Sequence, residues 1–170
     1  HNGSDYGLMA RKEIKGFSDL RGNSVGVSRF GSGAEIVARC ILEKQGLVPE
    51  KDVKMLPLGS MEARVTSLEQ GLVAAAIISM PFTFELENKG YRALIWGPEV
   101  PDLPFLNGLT TSTDKIKNRP DDIKKIIRAI LRANRFIHDE RGQSITLIAQ
   151  WAKVNQDLAR KSYEVTLPRF

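Results

Sequence analysis

Cysteine and histidine are nearly absent from this chain. Among 170 residues there is one cysteine, Cys40, and there are two histidines, His1 and His138. A lone cysteine excludes an internal disulfide and any metal site built from thiolates alone. Cys40 lies beside Val37 and Ile41 in a helical pattern, where a small buried hydrophobe is expected rather than a reactive thiol. His1 is terminal, and His138 lies near the end of a long helical pattern, where a cation favours the helix C-terminus. No His-x-x-x-His or Cys-x-x-Cys spacing exists, so no metal site is expected. No catalytic residue and no cofactor are expected either, since Ser32 has no histidine to act as its base. Long apolar runs are also missing, and nothing approaches the ~20 residues of a membrane span. The polar start, His1-Asn2-Gly3-Ser4-Asp5, has no signal-peptide pattern. The excess of positive charge is small, at +5, and the Lys and Arg residues are spread among nearly as many acids. No basic run is interleaved with aromatics, so a solvated surface is expected and nucleic acid is not.

What is present is a strand-and-helix alternation. Ser24-Val25-Gly26-Val27 has the β-branched pattern of a short buried strand, and Ser28-Arg29-Phe30-Gly31-Ser32-Gly33 is a small, Gly-rich turn. From Ala34 to Gln45 the apolar residues Ile36, Val37, Ile41 and Leu42 recur at helical spacing, and Gly46 follows as a C-cap. A strand that enters a helix in this way leaves the first amides of the helix unpaired at its positive end, which suits an anionic group. The turn matches neither a dinucleotide fingerprint, because Ile36 stands where the last Gly belongs, nor a P-loop, because the Lys-Ser/Thr is missing. A second strand is expected over Val53–Leu56, followed by a helix capped at Gly59-Ser60 with Ala63, Val65 and Leu68 inward. A third strand is expected over Leu72–Ile78, apolar on both faces as in a parallel sheet. Pro81–Lys89 reads as a helix opened by proline, and Tyr91–Trp96 as the next strand. Gly7–Ala10 is a short extended candidate near the start.

The alternation predicts an α/β fold, a three-layer open, mostly parallel sheet with helices on both faces, followed by C-terminal helices. Ligands in such sheets sit beyond the carboxyl ends of the strands. The turns Ser28–Gly33, Pro57–Ser60 and Ser79–Pro81, with Gly97 onward, are therefore expected along one edge. Phe30 is an aromatic inside a Gly-Ser turn, placed to cover the apolar part of a ligand. The pattern then changes. Gly97–Pro104 holds three prolines and is a connector, Asn107–Thr113 is a polar strand-like stretch, and Pro120 opens the longest helix, closed by Gly142. Two further helical segments cover Ser144–Lys153 and Gln156–Tyr163. The expected division is 6–106, an α/β ligand-binding lobe, and 107–170, a return strand with helices.

Several short stretches, in order, resemble the substrate-binding proteins of ABC importers, in the NMT1/THI5-like branch with the nitrate, sulfonate and taurine receptors. They are Asp19-Leu20-Arg21-Gly22 before Ser24–Val27, the Ser28…Gly31-Ser32 turn, and Leu42–Leu47 with Asp52-Val53. Leu58-Gly59 with Arg64, Leu68-Glu69-Gln70-Gly71, Ala75–Ser79 and Gly90-Tyr91 continue the series. The resemblance implies a type II periplasmic-binding-protein lobe outside the cytoplasm, delivering a small solute to an inner-membrane ABC permease. That solute is expected to be anionic, like a sulfonate, carboxylate or nitrate, or pyrimidine-like. Its contacts would be Ser28, Arg29, Phe30, Gly31, Ser32, Gly33, Ser79, Met80, Pro81 and Asn107. Members of that family are about twice as long, so the chain is expected to be a fragment covering mainly the second lobe. The helices after Asn107 would belong to the other lobe, and their exposed apolar surface would favour a homodimer or segment exchange. Two other readings share the architecture. One is the effector-sensing domain of a transcription regulator, and the other is a thiamine-pyrimidine synthesis-type enzyme, which would need histidines not seen here.

Overall fold

The computed structural model describes residues 5–100 and 108–169. They fall into two compact units, Asn2–Leu106 and Asn107–Phe170.

The first unit is built on a five-stranded sheet in the order β3-β2-β4-β1-β5. Its strands are β1 (Tyr6–Ala10), β2 (Ser24–Val27), β3 (Lys54–Pro57), β4 (Ala75–Ser79) and β5 (Arg92–Trp96). β2 runs parallel to β3 and β4, whereas β1 is antiparallel to both of its neighbours. Helices α1 (Gly33–Lys44), α2 (Met61–Glu69) and α3 (Phe82–Asn88) follow β2, β3 and β4. The alternation along β4 explains why its sequence is uniformly apolar. Ala75 and Ile77 join Val37, Ala38 and Ile41 of α1 on one face, while Ala76 and Ile78 meet Leu68 of α2 and Leu86 of α3 on the other. Both faces are dry, so neither set can be polar.

The three-layer α/β reading holds, with corrections of detail. β1 was expected only as a short extended piece; it is an interior strand, between β4 and β5, and supplies the antiparallel element of the sheet. β4 begins at Ala75 rather than Leu72, which is 64% exposed. Cys40 is half-buried, because it sits on the flank of α1 between the core stripe and solvent. Residues 108–112 are not a strand; Ser112 instead caps α4 (Thr113–Asn118) by accepting the Lys115 amide at 3.2 Å. Competition from a serine hydroxyl for local amides defeats the extended pattern there.

The second unit is helical. α5 (Pro120–Asp139) begins with proline, whose missing N–H is no loss in a first turn. It ends before the expected Gly142, which lies instead in the opening turn of α6 (Arg141–Ala152). α7 (Gln156–Thr166) is capped by Asn155, which accepts the Leu158 amide at 2.9 Å. Ile145, Ala149, Ala159 and Tyr163 form the core of this unit, and the Tyr163 hydroxyl donates to the Ile137 carbonyl at 2.6 Å. On α5, Ile126, Ile127, Ile130 and Leu131 recur at helical spacing and are 43–53% exposed.

Candidate functional site

Parallel strands end where their helices begin, so the carboxyl ends of β2, β3 and β4 share an edge with the N-termini of α1, α2 and α3. Two backbone bonds join the first two turns directly. The Leu58 amide donates to the Val27 carbonyl, and the Gly59 amide donates to the Ser28 carbonyl, both at 2.8 Å. β4 brings Ser79 to the same edge, and the antiparallel register places Tyr6 opposite Ser79 and Gly7 opposite Trp96. The edge is thus lined from both strand directions. Sequence reading gave Ser60 a place there but none to Tyr6.

The Ser28–Gly33 turn is held by its own hydroxyls. Ser28 Oγ donates to Ser32 Oγ at 2.8 Å, and Ser32 Oγ donates to the Arg29 carbonyl at 2.6 Å while accepting the Glu35 amide at 3.3 Å. Gly31 has φ +75°, a left-handed backbone that costs an L side chain about 1–2 kcal/mol. Arg29 and Phe30 are exposed, Phe30 at 54%, and Ser28, Ser32 and Gly33 are half-buried. At the end of β4, Ser79 is half-buried but Met80 and Pro81 are buried, so those two shape the edge from beneath. The peptide between them is cis. Asn107 lies outside the described residues.

One feature of α1 changes the electrostatics expected of this turn. Glu35, nearly buried, accepts the Gly31 amide on Oε2 at 2.9 Å and the guanidinium Nε of Arg39 on Oε1. The N-terminus of α1 therefore already carries a carboxylate of its own. Only the amides of Gly33 and Ala34 keep no possible intrahelical or capping partner in that turn. The Arg39 guanidinium, then the Gly31 amide, hold the Glu35 carboxyl below the usual carboxylate range. A depressed folded-state pKa stabilises the fold above the ordinary Glu value near 4.3 and loses that contribution as pH falls through the folded value. Glu35→Gln should then lower stability by about 1 kcal/mol at pH 7. Urea titrations taken down to pH 3 should show the gap to wild type closing; a gap that stays constant with pH would refute the assignment. The signal for this residue was in the sequence, as Ser32-Gly33-Ala34-Glu35 has capping-box spacing.

α2 is different. Ser60 caps it by accepting the Ala63 amide at 3.2 Å, and Arg64, one turn in, is 4% exposed. Arg64 Nε donates to the Ser60 carbonyl at 3.3 Å, and its Nη1 donates to the Ile77 carbonyl of β4. Burial pulls its pKa down while Tyr6 and Glu62 hold it up, and the group stays charged, as arginine does in proteins. Burial, with Asp5 adding to it, raises the Tyr6 phenol, and Arg64 opposes that rise. The two side chains therefore feel each other at the edge. Of the residues expected to point inward, Leu68 is buried, Val65 is half-buried and packs against the same core, and Ala63 is half-buried, while Arg64 and Ser67 are buried beside Leu68.

A family model described as NMT1/THI5 like matches residues 2–144. The chain belongs to this family. Among solved structures, the fold is similar to the alkanesulfonate-binding protein SsuA from Xanthomonas axonopodis pv. citri bound to MOPS. The TM-score is 0.78 at 21% identity, over 94% of this chain and 55% of that one. It is also similar to the periplasmic aliphatic sulphonate binding protein SsuA from Escherichia coli, with TM-score 0.72 and 20% identity over 94% of this chain and 51% of that one. The desulfurization enzyme DszB is a more distant neighbour, with TM-score 0.57 and 17% identity over 98% of this chain and 67% of that one. The chain thus spans about half the length of the SsuA proteins. A search of curated proteins found no match.

Proposed function

We propose that this member of the NMT1/THI5-like family holds a small solute, and performs no chemistry on it, as the binding component of an ABC-type uptake system outside the cytoplasm. The solute is an anion of the sulfonate or carboxylate class, with a nitrate-like or pyrimidine-like compound as the next candidates, and it is passed to an inner-membrane permease. The observation that carries this reading is the meeting of the Ser28–Ser32 turn with the Gly59-Ser60 turn at one sheet edge, joined by the bond from the Gly59 amide to the Ser28 carbonyl. Half-buried hydroxyls and the opening turns of α1 and α2 face that edge, and they offer donors without a nucleophile and base in hydrogen-bond reach of each other. The similarity to two sulfonate-binding proteins supports the substrate class, and Phe30, exposed beside the turn, suits the carbon end of such a molecule. An enzymatic reading in the manner of DszB gains nothing from the residues: Cys40 lies in the middle of α1 and His138 on α5. A homodimer or segment exchange finds no support among the neighbours.

A thermal-shift screen of ethanesulfonate, taurine, acetate, nitrate and a hydroxymethylpyrimidine tests the reading on the full chain. A ligand at about a hundred times its Kd adds about 2.7 kcal/mol to stability, a rise of several degrees. Ser28→Ala removes a hydroxyl that orients the turn and should weaken the responding ligand about fivefold. If that variant responds like wild type, the solute sits elsewhere.

A further inference from the structure

The β2–β4 ladder is short. Val25 pairs with Ala75 and Gly26 with Ala76, and there it stops. Both strands go on, but to other partners: Val27 stays paired with Pro57 of β3, while Ile77, Ile78 and Ser79 stay paired with Leu8, Gly7 and Tyr6 of β1. The sheet therefore divides at this edge into a β3–β2 half and a β4–β1 half, with no further backbone pairing between them. The carbonyl of Ile77, the first residue of β4 beyond the ladder, accepts Nη1 of the buried Arg64. A guanidinium thus stands where the next rung would be, roughly two residues or 6–7 Å below Ser79. Arg64 is anchored by the Ser60 carbonyl as well, so its charge is fixed in place rather than free to swing outward.

From this juxtaposition we propose that Arg64 is the specificity-determining charge of the edge: a fixed cation at the break in the β2–β4 ladder that selects an oxyanion over a neutral molecule of the same shape. The proposal rests on the reading that the solute sits at this edge. The contrast with α1 strengthens it. There the helix terminus is already answered by the Glu35 carboxylate, itself bound to Arg39, so that terminus adds little net attraction for a second anion. Arg64 makes its two anchoring bonds to neutral carbonyls, Glu62 of the same helix offsets part of its charge, and what remains, held away from water, acts over several ångströms with little screening. Arg64 need not touch the solute. It is a positioning residue for the edge and a source of potential.

The test compares ethanesulfonate with ethanesulfonamide, of similar shape but uncharged, by calorimetric titration of the full-length chain. Wild type should prefer the anion by about tenfold or more. Arg64→Met should bring the two affinities to within about twofold, leaving the sulfonamide unchanged, because only the charged probe feels the missing cation. Arg64→Lys should keep most of the preference while melting lower, since lysine retains the charge but not the two-pronged anchor. If Arg64→Met weakens both probes equally, or leaves the preference intact, arginine is structural there and the proposal is overturned. Should the methionine variant fail to fold, the lysine variant decides: a folded Arg64→Lys chain without anion preference overturns it, and one with the preference supports it. A wild-type chain that binds neither probe removes the solute-holding reading and this proposal together, whereas selective wild-type binding with an unaffected variant removes this proposal alone.

Discussion

Gly31→Val should weaken whichever solute the thermal screen identifies by about tenfold. Nothing lies within 4 Å of a Cβ placed on Gly31, so the substituent has room and the effect is conformational alone. The left-handed φ of +75° is what valine resists, at a cost of about 1–2 kcal/mol. A free valine variant relaxes its turn to negative φ, pulling the Gly31 amide from Glu35 and loosening the Ser28–Ser32 hydroxyl pair. Binding must then restore the original turn, and restoring it costs what relaxation released. Since 1.4 kcal/mol is a factor of ten in affinity, the loss is about tenfold. Gly31→Asn is the control, because asparagine tolerates the left-handed region and should retain most of the affinity. Equal affinities for the valine, asparagine and wild-type chains would mean that the turn does not shape the site.

The largest loss of stability is expected from Gly26→Val. A Cβ on Gly26 would stand 2.7 Å from Leu58 Cδ1 and 3.3 Å from Ala76 Cβ. The second contact cannot relax, because Ala76 is paired with Gly26 in the last rung of the β2–β4 ladder and with Met9 on its other side. The first is with the end of the Leu58 side chain, which can turn away only as far as its packing against the core on that face allows. Overpacking of this kind costs about 1–3 kcal/mol, and valine's two methyls put Gly26→Val toward the upper end. Greater strand propensity returns only a few tenths. Denaturant melts of Gly26→Ala, Gly26→Val and Gly26→Val/Leu58→Ala should show the double variant recovering part of the loss, since removing the leucine opens the space. If the two substitutions simply add, Leu58 is not what excludes a side chain from this rung.

Much of the first unit was legible because its signals were local. The Ser32 and Ser60 caps, the apolar spacing of α1 and the unbroken apolar run at Ala75–Ile78 each follow from a few neighbouring residues. The interior place of β1 was not legible, since Tyr6–Ala10 gains its identity from partners some seventy and ninety residues away. The same limit hid Tyr6 from the candidate site. Arg64 was missed for another reason. It shares a helix face with Leu68, where a charged residue contradicts the expected apolar stripe, and the carbonyls of Ile77 and Ser60 explain why it is tolerated. Around Asn107–Thr113 the alternation suggested a strand, but a serine cap outweighed it at Ser112. The turns at Ser28–Gly33 and Ser79–Pro81 do reach one edge, though Met80 and Pro81 underlie it rather than face outward.

The position of β1 bears on how the molecule is made. Of the five strands of this sheet Tyr6–Ala10 is made before the rest, yet its two lateral partners, Ala75–Ser79 and Arg92–Trp96, are made after the other two. Until then the β2–β3 pair can form with α1 while the opening strand waits unzipped. Non-local closure of this sort is slow and leaves apolar edges accessible to other nascent chains. The antiparallel side of the finished sheet is therefore the last part to be sealed, and a holdase acting during synthesis would find its substrate before Arg92–Trp96 has emerged.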